Sequence, residues 1–169
     1  YHYDGKHDLL VAYLDHLYDQ FEARITDPRG DDPAAQLRSL VDSLLAERSD
    51  EPDFQTALLE IRAQSPYDEA FRERLRRFDD AIEAEIRQLV TEGVADGTFR
   101  ESVDPDAVAS FLRTHINGIQ TRHVAVGHSI EDSARAVDVY VAETLGADIE
   151  TGAGPGTTAG AVEAGGSTE

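Results

Sequence analysis

The 169-residue sequence contains no cysteine, which excludes disulfides and thiolate metal sites and makes the cytoplasm the default location. No apolar run approaches the roughly 20 residues needed to span a bilayer, so no membrane association is expected, and no signal peptide is visible. Methionine is absent too, even at the start, and the chain opens in mid-pattern at Tyr1, as the remainder of a longer protein would. Lysine is nearly absent: Lys6 is the only one, and 15 basic residues stand against 34 acidic ones for a net charge of −19. Phosphate contacts require clustered Lys and Arg, so this surface alone would not hold DNA. Such an acidic surface repels itself at low salt, which points to a high-salt cytosol where a Debye length of about 3 Å at 1 M screens the charge. An acidic partner for a basic protein is the alternative, but its charge would be clustered, and here it is dispersed along the chain.

What the sequence has is helical periodicity. Apolar residues recur at three- and four-residue steps with almost no period-2 alternation, so the expected class is all-α. A first helix is predicted over Lys6 to Ile25, with Leu10, Tyr13, Leu14, Leu17, Phe21 and Ile25 on one face. Asp27-Pro28-Arg29-Gly30 ends it. Asp32 and Pro33 open a second helix that buries Leu37, Leu40, Val41 and Leu44. A short third helix spans about Asp53 to Ala63. Ser65-Pro66 precedes the longest helix, about Tyr67 to Asp96, whose stripe is Phe71, Leu75, Phe78, Ile82, Ile86 and Leu89. Asp104-Pro105 starts a fifth helix that Gly127 closes near Val126, and the last runs from about Ile130 to Leu145. Residues 147–169 are rich in Gly, Thr and Ala, cannot bury enough surface to offset the entropy of ordering, and are expected to form a disordered tail.

The opening residues, Tyr1-His2-Tyr3-Asp4-Gly5-Lys6-His7-Asp8-Leu9-Leu10, resemble the segment with which TetR-family transcriptional repressors leave their DNA-recognition helix and enter the fourth helix. A lysine at a helix N-terminus opposes the macrodipole, and a nearby phosphate, drawn both to the ammonium and to the free backbone N–H groups, would account for it. The resemblance implies that residues 1–5 end the recognition helix, with Tyr1, His2 and Lys6 at the DNA. It further implies that residues 6–146 form the ligand-binding and dimerisation domain. The first two helices of the family and most of the third are missing in front. Operator DNA would be bound through that missing N-terminal region.

On the fifth helix, Val108, Phe111, Leu112, His115, Ile116, Ile119, Arg122 and His123 fall in one broad sector, so three polar groups interrupt an apolar stripe. Buried polar groups need partners: protein, a second subunit or a ligand. The resemblance places a ligand among the first, long and fifth helices, with Tyr13, Leu17, Phe54, Leu58, Phe78, Ile82, Phe111 and His115 as candidate contacts. It places the dimer in a four-helix bundle of the last two helices and their copies, with Ile116, Arg122, His123, Ala134, Val137 and Val141 as candidates. No catalytic residue, metal site or cofactor is expected. Glu-x-x-His, H-E-x-x-H, phosphate-binding glycine loops and G-x-S-x-G are all absent, and the six histidines are scattered. The expected function is a homodimeric repressor released from DNA by a small-molecule effector. The alternative is a helical dimeric sensor or adaptor that does not bind DNA.

Overall fold

The computed structural model describes residues 5–25, 30–46 and 54–146. It is built of α1 (Lys6–Ile25), α2 (Pro33–Leu45), α3 (Phe54–Gln64), α4 (Glu69–Ala95), α5 (Pro105–Val126) and α6 (Ile130–Leu145). There is no strand among the described residues. Tyr1, His2 and the expected tail, 147–169, lie outside them.

The helix ends follow cap chemistry. Asp32 accepts a hydrogen bond from the Ala35 amide at 2.8 Å, with Pro33 in the first turn, where its missing N–H costs nothing. Asp104 accepts from the Asp106 and Ala107 amides ahead of Pro105, and Ser129 accepts from the Asp132 amide. Gly127 closes α5 in the left-handed region at φ 71°, where a side chain would be strained. The long helix starts later than expected. Asp68 caps it by accepting from the Phe71 amide at 3.0 Å, so Tyr67 is left outside, in a turn and 94% exposed.

Two apolar clusters organise the packing. The larger joins α2, α4, α5 and α6 through Leu37, Val41, Ile86, Leu89, Val108, Leu112, Ile116, Val137 and Leu145. The smaller ties α1 to α3 and α4 through Leu14, Leu17, Ile61 and Phe71. Arg74 clamps Asp15 with two hydrogen bonds, of 2.9 and 3.1 Å, fixing α1 along α4. At its N-terminal end, Lys6 Nζ lies 2.8 Å from Glu60 of α3, and His7 lies 2.7 Å from Asp68. The His7 pKa is raised, chiefly by its contact with Asp8 at 3.2 Å and then by that with Asp68. The Asp68 carboxyl is held below its usual range, first by the Phe71 amide. No helix among the described residues is long and apolar enough to cross a membrane.

Candidate ligand-binding cleft

Between the two clusters the helices do not close. A cleft of about 1280 Å³ lies among α1, α2, α3, α4 and one flank of α5. That is ample for a drug-sized ligand. Leu17 of α1, Phe54 and Leu58 of α3, and Leu75, Phe78 and Ile82 of α4 supply its apolar wall. Phe78 is fixed edge-on to Tyr18, with ring centroids 5.2 Å apart.

Its polar pole is a chain of hydrogen bonds linking three helices. Arg113 Nε donates to Asp79 Oδ1 at 2.7 Å, Asn117 Nδ2 donates to the same oxygen at 3.3 Å, and Arg62 Nη2 donates to Asn117 Oδ1 at 2.9 Å. Arg113 is only 6% exposed, the one buried charged residue among those described. Burial depresses both guanidinium pKa values. For Arg62 the neighbouring Arg113 adds to that, and for Arg113 the Asp79 carboxylate opposes it. Both remain cations, as arginine does in proteins. Six residues further along α4, about 9 Å at 1.5 Å per residue, stands Glu85. Its pKa is raised by burial and then by the charge of Glu92.

Five of the eight candidate ligand contacts line this cleft: Leu17, Phe54, Leu58, Phe78 and Ile82. Tyr13 stands one layer back, its ring edge-on to Phe54 at 6.2 Å. Phe111 and His115 are elsewhere. They stack on each other at 5.5 Å, on the opposite flank of α5, with Phe111 also stacked on Tyr140 of α6 at 4.0 Å. The proposed dimer residues divide as well. Ile116 and Val137 are buried within the protomer, in the seam of α5 and α6, and offer no surface to a partner, whereas Ala134 and Val141 pack beside them and are only partly buried. Arg122 is exposed, and His123 Nδ1 contacts the His128 carbonyl at 2.8 Å, at the end of α5. Missed from the sequence were Arg62, Asp79, Arg113 and Asn117. The signal available was a polar flank at i, i+4 and i+7 on α5, namely Arg113, Asn117 and Gln120. No group of residues that could hold a metal ion occurs among those described.

Residues 33–146 match the C-terminal region of BetI-type transcriptional repressors. No curated protein matches the chain. Among solved structures, a TetR transcription regulator from Haloarcula marismortui is 36% identical, with a TM-score of 0.77 over 85% of this chain and 77% of that one. A TetR-family transcriptional regulator from Rhodococcus sp. is 25% identical, with a TM-score of 0.72 over 85% and 78% of the two chains. A transcriptional regulator from Saccharomonospora viridis, in complex with choline, shares the fold at 20% identity, with a TM-score of 0.72 over 86% and 77%. The six helices of the described residues and the cleft among α1–α5, together with these likenesses, place the chain in the TetR family of transcriptional regulators, which are not enzymes.

Proposed function

We propose that the chain is the sensing and dimerising part of a cytoplasmic, ligand-responsive repressor, whose operator binding weakens when a small molecule fills the cleft. The observation that carries this reading is the cleft itself, with a cross-helix polar pole at one side of an apolar wall. The choline held by one structural relative supports a small-molecule role for the fold.

The first helix supplies the linkage. It runs unbroken from Lys6 to Ile25 and presents Leu17 to the cleft, so an occupant that shifts α1 against α4 also moves the Lys6 end. The Lys6–Glu60 pair at that end is exposed, a contact worth about 0–1 kcal/mol, and a DNA phosphate can displace it. Operator reading would rest with a helix-turn-helix joined to that end. The effector can act only by binding the DNA-incompetent state more tightly, and by linkage DNA must weaken effector binding equally.

Dimerisation is assigned to the outer face of α5 and α6. Phe111, 42% exposed, stacks between His115 and Tyr140 there, with Val139 exposed nearby on α6. Exposed aromatic clusters of this kind mark protein contacts. In the full-length regulator, Phe111→Glu should give a monomer by light scattering with an unchanged circular dichroism spectrum, and should abolish tight operator binding, because a single reading head engages only one half-site. A Phe111→Glu variant that stays dimeric would move the interface off this face. Val137→Glu, by contrast, buries a charge in the protomer core and should unfold it.

A further inference from the structure

We infer that the cleft takes an anionic ligand, a carboxylate joined to an apolar body, with the carboxylate received by Arg62 and Arg113 and the body lying along Leu58, Leu75, Phe78 and Ile82. This rests on the proposed sensing role of the cleft and deepens it by naming the ligand class.

Charge is the first support. The whole chain carries 15 basic residues to 34 acidic ones, yet among the described residues that line the cleft the balance is reversed, with five arginines to three carboxylates. Chance placement on so acidic a chain would give the opposite sign. Pairing within the cleft sharpens the point. Arg38 is paired with Asp42 and Asp138, and Arg72 with Glu69. At the buried pole, Asp79 is a single carboxylate serving two guanidinium groups: it pairs with Arg113, while Arg62 has only the neutral Asn117 amide. The hydrogen-bonded cluster of Arg62, Arg113 and Asp79 thus holds two guanidinium groups to one carboxylate, with Glu83 acting on Arg113 only through space, and an anion joining that desolvated wall would offset the excess.

Donor geometry is the second support. Arg113 spends only Nε on Asp79, and Arg62 spends only Nη2 on Asn117. Among the described residues no fully buried side-chain nitrogen lacks a partner, so the unused guanidinium N–H groups are not sealed inside the protein, and both residues line the cleft. Two arginines held in place by α4 and α5 partners, with planar N–H forks to spare, match the bidentate geometry of a carboxylate. The far end offers Glu85, an acceptor suited to a hydroxyl on the ligand body rather than to its charge.

The test is titration calorimetry at constant ionic strength with three probes that share a chain length: decanoate, decanol and decyltrimethylammonium. Decanoate is expected to bind at least about tenfold tighter than decanol, the size of a gained charge-assisted hydrogen bond, and the ammonium probe should bind weakest. Arg62→Gln should erase the decanoate advantage while leaving decanol unchanged, and Arg62→Lys should retain part of it. Decanoate binding no tighter than decanol, including no binding by either, would overturn the inference, as would an ammonium probe that binds best. Operator release separates the two readings. A decanoate advantage that depends on Arg62 but leaves operator binding unaffected upholds the ligand class and removes the sensing role. Release by decanol or the ammonium probe but not by decanoate upholds sensing and removes the ligand class.

Discussion

Phe99→Ala is expected to cost about 3–5 kcal/mol of folding stability, the usual range for emptying a buried phenylalanine site. Phe99 sits in the turn between α4 and α5, where a loop residue would ordinarily be exposed, yet it is only 3% accessible and belongs to the larger core. Its ring lies over Gly93 so closely that a Cβ at that position would fall 2.1 Å from Cδ2. The Phe99 amide also donates to the Gly93 carbonyl at 2.8 Å. The next residue ties the turn to α6, with the Arg100 amide donating to the Leu145 carbonyl at 3.0 Å and its guanidinium to the Glu143 carbonyl at 2.8 Å. The ring thus anchors the junction between α4 and the proposed dimer helices, α5 and α6. Gly93→Ala should cost about 1–3 kcal/mol by expelling the same ring, and the double variant should cost less than the sum, since the two changes share one space. Urea denaturation of the four proteins measures all of this. A loss below about 1 kcal/mol for Phe99→Ala would mean that the ring contributes little to the core.

Salt should raise the stability of the chain steeply. Even if every one of the 15 basic residues were paired, 34 acidic residues would leave 19 carboxylates without a partner. Compaction brings those charges together, and screening relieves the cost as the Debye length falls from about 10 Å at 0.1 M to about 3 Å at 1 M. Salt also weakens the exposed pairs Lys6–Glu60, Arg38–Asp138 and Arg87–Asp106, but each is worth about 0–1 kcal/mol or less. The net effect should therefore be stabilising. At about 2–4 °C per kcal/mol, a relief of roughly 3 kcal/mol would raise the melting temperature by ~10 °C. Melts in KCl should level off once the Debye length is shorter than the charge spacing, whereas sulfate, which acts by exclusion from the surface, should keep raising it. A flat KCl response would remove the inference of a high-salt cytosol.

Helix limits were legible wherever the chain carries its own punctuation. Asp104-Pro105, Gly127 and Gly146 set the bounds of α5 and α6 by local backbone chemistry, and that chemistry does not depend on what packs nearby. The apolar wall was legible because Leu17, Leu58, Phe78 and Ile82 project from apolar stripes that must face inward somewhere. The polar pole was not. On α5 the stripe has two polar flanks, His115 and Arg122 on one side and Arg113 and Asn117 on the other. Periodicity cannot say which flank meets the cleft, because that depends on where α3 and α4 dock. The same ambiguity put Phe111 among ligand contacts, although its flank faces Tyr140. Val137 shows the converse: a small β-branched residue permits close approach, but the structure uses that approach within the protomer.

The absence of cysteine provides the most direct test of the sensing claim, one that needs no knowledge of the effector. In the full-length regulator, with any cysteine outside residues 1–169 replaced, Leu58→Cys places a single thiol on the cleft wall. Glu101→Cys, on the exposed turn before α5, serves as the control. Operator affinity is measured by fluorescence anisotropy before and after complete alkylation with N-ethylmaleimide, verified by mass. Filling the cleft should lower operator affinity by roughly 5–150-fold, the span of ordinary allosteric coupling, while the alkylated control binds as before. Full operator affinity after alkylation at Leu58→Cys, or an equal loss at the control site, would contradict a regulator that senses through this cleft.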